Sequence, residues 1–487
     1  MIRLLALCIA VPAAADPLFE NRSDGLPAHI YAGGWEHFVG GGVAVFDCNG
    51  DTLPDIFAAG GATQAKLLVN QGDFVFSESP IPSFTGVTGA YPLDYNADGL
   101  MDLFVLRVGQ NQLLTGQDNC GFAASDALPA DSGWSTAFTA WWEDDGAPVM
   151  AIGNYVDRDD PDGPFGACDD NVILRPGATG YQSNPLTPGF CPLSMLAAND
   201  ARGRPTLRIS NDRHYYIRDG YEQMWDIADQ RFLGADDGWQ NVSLWGMGIA
   251  SRDLTGDGRD EVMLTSMGDQ LMQIAGADGT YAAAPFTIGT YAQRPHTGDD
   301  GRPSTGWHAE FADVDNDGRA DLFIAKGNVD QMPGLAIKDP NNLLMQNPDG
   351  TFRETAVAAG VATKDRSRGA ALADFDGDGR MDLVVMNRRA PMELYRNITP
   401  DTGNWLAVSL SQQGGNRNAV GATVVVQAAG VSQSQQLTVG GGHAGGAALP
   451  LHFGLGDAAH AQVTVRWPDG EDSTQIVVAG QVVQVTR

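Results

Sequence analysis

Short apolar runs separated by acidic and glycine-rich turns dominate the first 400 residues of the chain. Typical runs are IFAAGG after Asp55, LFVLRV after Asp102 and LFIAKG after Asp321. Runs of this length are too short for most helices and are typical of buried β-strands. The pattern therefore predicts an all-β protein.

A nine-residue acidic pattern precedes five of these runs. It carries acidic or other oxygen-bearing side chains at its first, third and fifth positions and an acid at its ninth. In chain order these positions are Asp47, Asn49, Asp51, Asp55; Asp94, Asn96, Asp98, Asp102; Asp253, Thr255, Asp257, Glu261; Asp313, Asp315, Asp317, Asp321; and Asp374, Asp376, Asp378, Asp382. Because apolar residues also precede each copy, the repeated unit is strand, acidic loop, strand.

The spacing of the units predicts a seven-bladed β-propeller. The first acids Asp47 and Asp94 lie 47 residues apart, and Asp253, Asp313 and Asp374 follow one another at 60 and 61 residues. The gap between Asp94 and Asp253 has room for two more units, with VMAIGNY and LRIS as strand-like segments. Units of about 40–60 residues with several strands each are typical of propeller blades. The segment PAHIYAGG is expected to supply a strand that closes the ring.

The two gap units, blades three and four, depart from the acidic pattern. Asp157, Asp159 and Asp162 lack its spacing in blade three, and Asn211 with Asp212 is a remnant in blade four. The sequence leaves metal binding in these two blades open.

Two further segments flank the predicted propeller of residues 16–400. Residues 1–15 combine Arg3, an apolar run and small residues, which is typical of a secretory signal peptide. After residue 400 the acidic loops stop, and residues 401–487 alternate in a way that predicts a small β-sandwich or barrel-like domain. The expected location is secreted or periplasmic.

The charge balance narrows the classes of partner. The chain has 60 acidic residues against 30 Lys and Arg, a formal charge of −30. Nucleic acids and anionic membranes need a basic surface, so neither is an expected partner. The acidity is either a solubilising surface or metal-ligand charge.

Alternate acids on a tightly turning backbone can converge on one cation. Ca²⁺ takes six to eight oxygen ligands in a flexible shell, whereas Mg²⁺ prefers few protein ligands and retains water. Five copies in register predict about five Ca²⁺ ions, which would add ten positive charges to the formal −30. Asp- and Gly-rich turns without metal are the alternative interpretation.

Four cysteines remain after the signal segment, which predicts two disulfides in an oxidising compartment. Three pairings are open. The blade assignment favours Cys48 with Cys120 between adjacent blades, and Cys168 with Cys191 within blade three.

Three large side chains stand where other units have smaller residues. Trp307 and Arg368 lie six positions before the loop acid, and His308 replaces a recurrent glycine. The first strand of a blade is innermost, so these residues are expected at a mouth of the central channel. They predict either a ligand pocket or packing that plugs the channel.

The acidic loops resemble the FG-GAP/VCBS repeats of integrin-type propellers. The segments GNWLAVSL, NAVGATVVV, LHFGLG and VTVRWPDG resemble the ASPIC and UnbV domain. Together with GNYVDR and HFVGGGVAVFD, they make the mature chain similar to the cartilage acidic protein family and its bacterial relatives. The resemblance implies an extracytoplasmic, calcium-binding, seven-bladed propeller associated with cell adhesion or matrix contact, and it implies no catalytic residue.

The expected function is therefore a binding module for a glycan or protein. Long loops on rigid scaffolds often carry binding residues, so the partner-facing surface is expected around Asp157–Cys191 with Tyr215 and Tyr216. The alternative is a polysaccharide lyase or hydrolase on the same scaffold, in which His308 and Arg368 would act as base and charge neutraliser. The chain has no GxSxG, HExxH or nucleotide-binding loop.

Overall fold

The computed structural model describes residues 16–160, 166–212, 220–298 and 301–487. Within these ranges the helical elements are one α-helix and four 3-10 turns: Ala356–Ala359, Ser23–Gly25, Trp35–His37, Ala235–Asp237 and Phe286–Ile288. None of the described helices has the length and apolar character needed to cross a bilayer. The prediction of an all-β chain is confirmed, while the predicted signal segment lies outside the described residues.

Among the described residues before position 400, seven antiparallel sheets follow one another. The N-terminal strand is β1 (Phe19–Asn21). Sheet one has β2 (Val43–Phe46), β3 (Asp55–Ala58), β4 (Lys66–Asn70) and β5 (Phe76–Ser79); sheet two has β6 (Val87–Leu93), β7 (Asp102–Arg107), β8 (Gln112–Gln117) and β9 (Gly121–Ser125); sheet three has β10 (Ser135–Trp141), β11 (Val149–Asn154), β12 (Asn171–Gly177) and β13 (Gly180–Leu186). Sheet four has β14 (Pro192–Asn199), β15 (Pro205–Asn211), β16 (Gln223–Asp226) and β17 (Arg231–Phe232); sheet five has β18 (Gly246–Arg252), β19 (Glu261–Ser266), β20 (Leu271–Ala275) and β21 (Tyr281–Ala283); sheet six has β22 (Gly306–Ala312), β23 (Asp321–Lys326), β24 (Asn342–Gln346) and β25 (Phe352–Glu354); sheet seven has β26 (Ser367–Ala373), β27 (Asp382–Asn387) and β28 (Glu393–Asn397).

The described sheets form a closed ring. The first strand of each sheet contacts the first strand of the next, and β26 of sheet seven contacts β2 of sheet one. Strand β1 pairs with β28, with Phe19 opposite Asn397, so the N-terminal strand completes sheet seven. The strand expected from PAHIYAGG does not form. Instead, Ile30 bridges Pro391 and Ala32 bridges Gly61, which ties sheet seven to sheet one.

Burial explains why the strand runs are so uniformly apolar. Every residue of β2, β3, β6, β10 and β11 is buried. Both faces of an inner strand pack against neighbouring sheets, so polar alternation has no place there. Outer strands such as β5 and β13 face solvent in part and carry polar residues.

The last propeller strand ends at Asn397, and a second group of strands begins at Asn404. Its strands are β29 (Asn404–Ser411), β30 (Thr423–Ala428), β31 (Val431–Gln436), β32 (Ala447–Ala448), β33 (Leu451–Gly456), β34 (His460–Arg466), β35 (Asp472–Val478) and β36 (Gln481–Thr486). One sheet has the order β33-β29-β36 and the other β31-β30-β34-β35. Leu406, Phe453 and Trp467 lie in the core between the two sheets. We call this unit the C-terminal domain.

A glycine-rich segment of the C-terminal domain fills part of the ring. This channel loop, residues 438–448, bridges the first strands of sheets one to five through Ala447, Gly445, Val439, Gly440 and Gly442. A Cβ on Gly42 or Gly89 would lie 1.8 or 1.6 Å from the carbonyl oxygen of Ala444. These glycines, one directly before β2 and one in β6, are therefore required by the channel loop as well as by crowding of the strands.

Candidate metal centres

All five acidic loops join the first and second strands of their sheets, in sheets one, two, five, six and seven. In each loop the first carboxylate accepts a hydrogen bond from the amide at the sixth position. The amide donors are Thr52, Gly99, Gly258, Gly318 and Gly379, at 2.8–3.0 Å. The loop thus curls around its first acid.

The ninth-position acid makes two further bonds in every loop. One oxygen accepts from the amide at the second position: Cys48, Tyr95, Leu254, Val314 or Phe375, at 2.8–2.9 Å. The other accepts from the end of the third strand or the residue beside it: Asn70, Gly116, Ala275, Gln346 or Asn397, at 2.7–3.4 Å. The ninth acid therefore fixes the loop to its sheet.

The geometry brings the predicted ligands together most clearly in sheets six and seven. Oxygens of Asp313, Asp315 and Asp321 lie within 4.8 Å of one another, as do those of Asp374, Asp376 and Asp382. In the other three loops the third position offers an amide or hydroxyl oxygen, from Asn49, Asn96 and Thr255.

Arginines compete for the fifth-position acids. Asp257, Asp317 and Asp378 each pair with the arginine two residues later, which is Arg259, Arg319 and Arg380 in turn. The corresponding residue is leucine in the loops of sheets one and two. A cation bound in any one of these three loops would therefore replace the contact between its fifth-position acid and the arginine.

Burial makes these acid clusters costly without a counter-charge. It raises the pKa of Asp55, Asp102 and Glu261 to about 7, and that of Asp321 and Asp382 well above the usual carboxyl range. A cation at these points would favour the ionised forms.

Two oxygen atoms test whether a hard cation fits. Asp94 Oδ1 and Asp315 Oδ1 are buried and have no hydrogen-bond partner. Buried polar atoms in native proteins nearly always have a partner, and carboxylate oxygens are the ligands that Ca²⁺ prefers. The donor set of these loops therefore fits such an ion.

Sheets three and four have different loops at the equivalent place. Residues 142–148 connect β10 to β11, and residues 200–204 connect β14 to β15. In the second, Arg204 Nη2 lies 2.7 Å from Asp200 Oδ2, so an ion pair stands where the other sheets have acid clusters.

The assignment of Asp157, Asp159 and the Asn211–Asp212 pair to equivalent loops was wrong. Asp157 and Asp159 follow β11, and Asn211 ends β15 with Asp212 directly after it, so they lie toward the opposite face of the ring. Asp162 lies outside the described residues.

The C-terminal domain covers the face of the ring that carries the acidic loops. Gly403 N donates to Asp315 O at 2.9 Å, and Gly456 N donates to Asn316 O at 2.8 Å. His452 Nε2 lies 3.1 Å from Gly379 O, and Arg417 Nη1 donates to Ala97 O at 3.2 Å. Three acidic loops therefore hold the domain directly.

The three predicted channel residues come together, but in packed surroundings. The Arg368 guanidinium carbon lies 3.9 Å from the Trp307 ring centroid, and both side chains are fully buried. His308 Nδ1 accepts from the amide of His443, whose ring lies 4.9 Å from that of Trp307. This arrangement supports packing of the channel, which was one of the two interpretations.

Sequence reasoning missed His443 and the channel loop. His443 is buried, with Nδ1 2.9 Å from Met247 O and Nε2 accepting from the Gly40 amide at 3.3 Å. The available signal was the run GGGHAGG, because only small residues fit between seven crowded strands.

Both favoured disulfides are present. Cys48–Cys120 joins the acidic loop of sheet one to the outer hairpin of sheet two, as predicted. Cys168–Cys191 also forms. Cys191 is the residue directly before β14, so this disulfide links sheets three and four instead of lying within blade three.

Comparisons with known proteins agree with this architecture. Residues 412–487 match the ASPIC and UnbV family, and residues 47–105 and 329–385 match the FG-GAP-like repeat family. The chain carries both parts of the predicted resemblance. Cartilage acidic protein 1 is similar in sequence: the Homo sapiens protein is 28% identical and the Mus musculus protein 27% identical, each over 175 residues.

The match covers 35% of this chain and 26% of the human protein, so the chain spans about a quarter of that relative. Among solved structures, an Agrocybe aegerita lectin that recognises non-reducing terminal N-acetylglucosamine aligns with a TM-score of 0.37 and 16% identity, covering 72% of this chain and 94% of the lectin. YCF48 bound to D1 peptide aligns with a TM-score of 0.44 and 8% identity, covering 80% of this chain and 99% of that one.

Proposed function

We propose that the chain is an exported recognition module whose acidic loops are fixed by calcium. The observation that carries the proposal is the hydrogen-bonding scheme shared by five loops, together with the unpartnered buried oxygens Asp94 Oδ1 and Asp315 Oδ1. A calcium ion would supply positive charge to oxygens that the fold has already gathered. Two disulfides favour an oxidising compartment.

Metal counting tests the calcium part. Native mass spectrometry of the calcium-loaded protein should show about five ions, with magnesium displaced by calcium. Asp317→Ala and Asp376→Ala should each remove about one ion, whereas the exposed Asp236→Ala should remove none. A count of zero or one ion would refute the assignment.

The recognition surface is proposed on the face away from the C-terminal domain. That domain covers the acidic loops, which leaves the opposite face to a partner. There Trp35 is 43% exposed, and Arg158 Nη2 pairs with Glu36 Oε1 at 2.7 Å. An exposed aromatic ring beside charged groups suits a sugar or a polar protein surface.

This face includes part of the surface expected around Asp157–Cys191. Residues 161–165 of that surface, and Tyr215 and Tyr216, lie outside the described residues.

A glycan array with and without EGTA tests the recognition part. Trp35→Ala and Arg158→Ala should abolish binding at unchanged calcium content, while Asp236→Ala should bind normally. Binding that survives both substitutions would place the recognition surface elsewhere.

The glycans incubated with the protein can also be assayed for unsaturated uronates, whose formation would reveal lyase activity. The packing of His308 and Arg368 lends that alternative no support.

A further inference from the structure

The channel loop leaves one side of the ring axis unfilled. It bridges the first strands of sheets one to five, and among the described residues it makes no such bridge to β22 or β26. The remaining cavity is about 190 Å³ and is lined by Arg252, His308, Glu310, Gln435, Thr438 and Gly441, among others.

Arg252 is the unusual group in this cavity. Its side chain lies at the end of β18 and is only 7% exposed. No described residue accepts a hydrogen bond from its guanidinium or forms an ion pair with it, although the Phe453 ring centroid lies 5.9 Å away. Asp253, Asp260 and Asp313 lie near enough to attract it, but none of them pairs with it among the described residues. The Asp260 carboxylate accepts from Ser251 Oγ, and the other two accept from amides of their own loops. A buried guanidinium without an acceptor is strongly disfavoured.

The negative group in the cavity is already engaged. Glu310 Oε2 accepts from the Leu372 amide at 3.0 Å and lies 3.3 Å from His308 Nε2. His308 Nδ1 accepts from the His443 amide, so Nε2 carries the hydrogen and donates to Glu310. The cavity therefore has one guanidinium without a hydrogen-bond acceptor and one carboxylate with two hydrogen-bond partners.

We propose that this cavity binds a small oxyanion on the Arg252 guanidinium. The planar fork of five N–H donors suits the oxygens of a carboxylate or of a tetrahedral anion such as sulfate. At about 30 Å³ per water, the space equals roughly six water molecules, so the ligand has only a handful of non-hydrogen atoms. The site adjoins the acidic loops of sheets five and six, because Arg252 directly precedes Asp253 and Asp313 lies near it, and it is separate from the proposed recognition face.

The test compares anions on the full-length, calcium-loaded protein. Thermal unfolding is followed in chloride, acetate and sulfate at equal ionic strength, and calorimetry gives the Kd for each anion. A saturable rise in Tm of roughly 2–5 °C over chloride is expected for the bound anion. Acetate and sulfate distinguish a planar carboxylate site from a tetrahedral one.

Substitution at Arg252 separates binding from general salt effects. Arg252→Met should lose the anion response and melt in chloride at or above the wild-type temperature, because it removes a buried charge that has no hydrogen-bond acceptor. The exposed Arg466→Met, which pairs only with Asp472 of its own domain among the described residues, should keep the wild-type response. Arg252→Lys, which keeps the charge, should bind at least tenfold more weakly and covers the case in which Arg252→Met does not fold.

Equal Tm values in all three salts would overturn the proposal and indicate a cavity that holds only water. An anion response that persists in Arg252→Met would also overturn it, because sulfate stabilises many proteins without a site.

Discussion

Asp315→Asn should loosen the C-terminal domain from the propeller. Asp315 belongs to the three-carboxylate cluster of sheet six, and its own backbone carbonyl receives the Gly403 amide. The next carbonyl, Asn316 O, receives the Gly456 amide. Removing one carboxylate charge weakens the cation site, and the loop that carries both carbonyls then loses its fixed shape.

The size of the effect follows from the two hydrogen bonds. Each contributes about 1 kcal/mol, so their loss amounts to about 2 kcal/mol. Since 1.36 kcal/mol corresponds to a factor of ten, amide protection at Gly403 and Gly456 should fall about thirtyfold.

Hydrogen exchange followed by mass spectrometry measures this directly in peptides that contain Gly403 or Gly456. Asp51→Ala is the matched control. It weakens the loop of sheet one, which has no hydrogen bond to the C-terminal domain within the described ranges. The coupling is refuted if Asp315→Asn and Asp51→Ala give the same exchange, or if EGTA leaves both peptides protected in the wild type.

Three other measurements test the fold. The double substitution of Cys168 and Cys191 by serine should cost about 3 kcal/mol, because the disulfide spans 23 residues, and an unchanged Tm in calorimetry would contradict this. Burial raises the pKa of Glu222 to about 8, so the folded chain keeps a proton that the unfolded chain loses near pH 4.5. This contribution to stability is fully present below pH 4.5 and is lost as pH rises toward 8. When denaturant midpoints are measured against pH, Glu222→Gln should flatten the profile in that range. An unaltered slope would show that another group is responsible. Gly89→Ala would place a Cβ 1.6 Å from the channel loop and should lower Tm by several degrees, whereas Gly34→Ala, with nothing within 4 Å, should not. Equal Tm values would mean that the channel loop can shift to accommodate the Cβ without loss of stability.

The acidic loops could be predicted because their order is local. Within each loop the bonds from the first and ninth acids reach amides at most seven positions away, such as Gly318 to Asp313 and Val314 to Asp321. A nine-residue pattern therefore contains most of the information that shapes the loop. The fold class could be predicted for a similar reason. Each buried inner strand is a short run of apolar residues, so it can be identified from a few consecutive positions.

The contacts across the ring could not be predicted in the same way. His443 meets Trp307 across 136 residues of sequence, and a glycine-rich run by itself resembles a flexible linker. In sheet three the connection at residues 142–148 does not have the nine-residue spacing. The equivalent loop was therefore assigned to the next acidic cluster along the chain, at Asp157. That error placed the cluster on the wrong face of the ring.

The channel loop also orders events during synthesis of the chain. Its residues emerge from the ribosome about 40 residues after Asn397, the end of the last propeller strand. Until then the propeller's own Trp307 and Arg368 pack one part of the axis, while the part beside glycines such as Gly42 and Gly89 has no side chain to fill it. Because the segment enters as a loop anchored in β31 and β33, it can slide in from one mouth without passing a chain end through the ring. The nascent propeller is therefore incompletely packed along its axis, and it acquires its final interior only when the C-terminal domain folds on top of it.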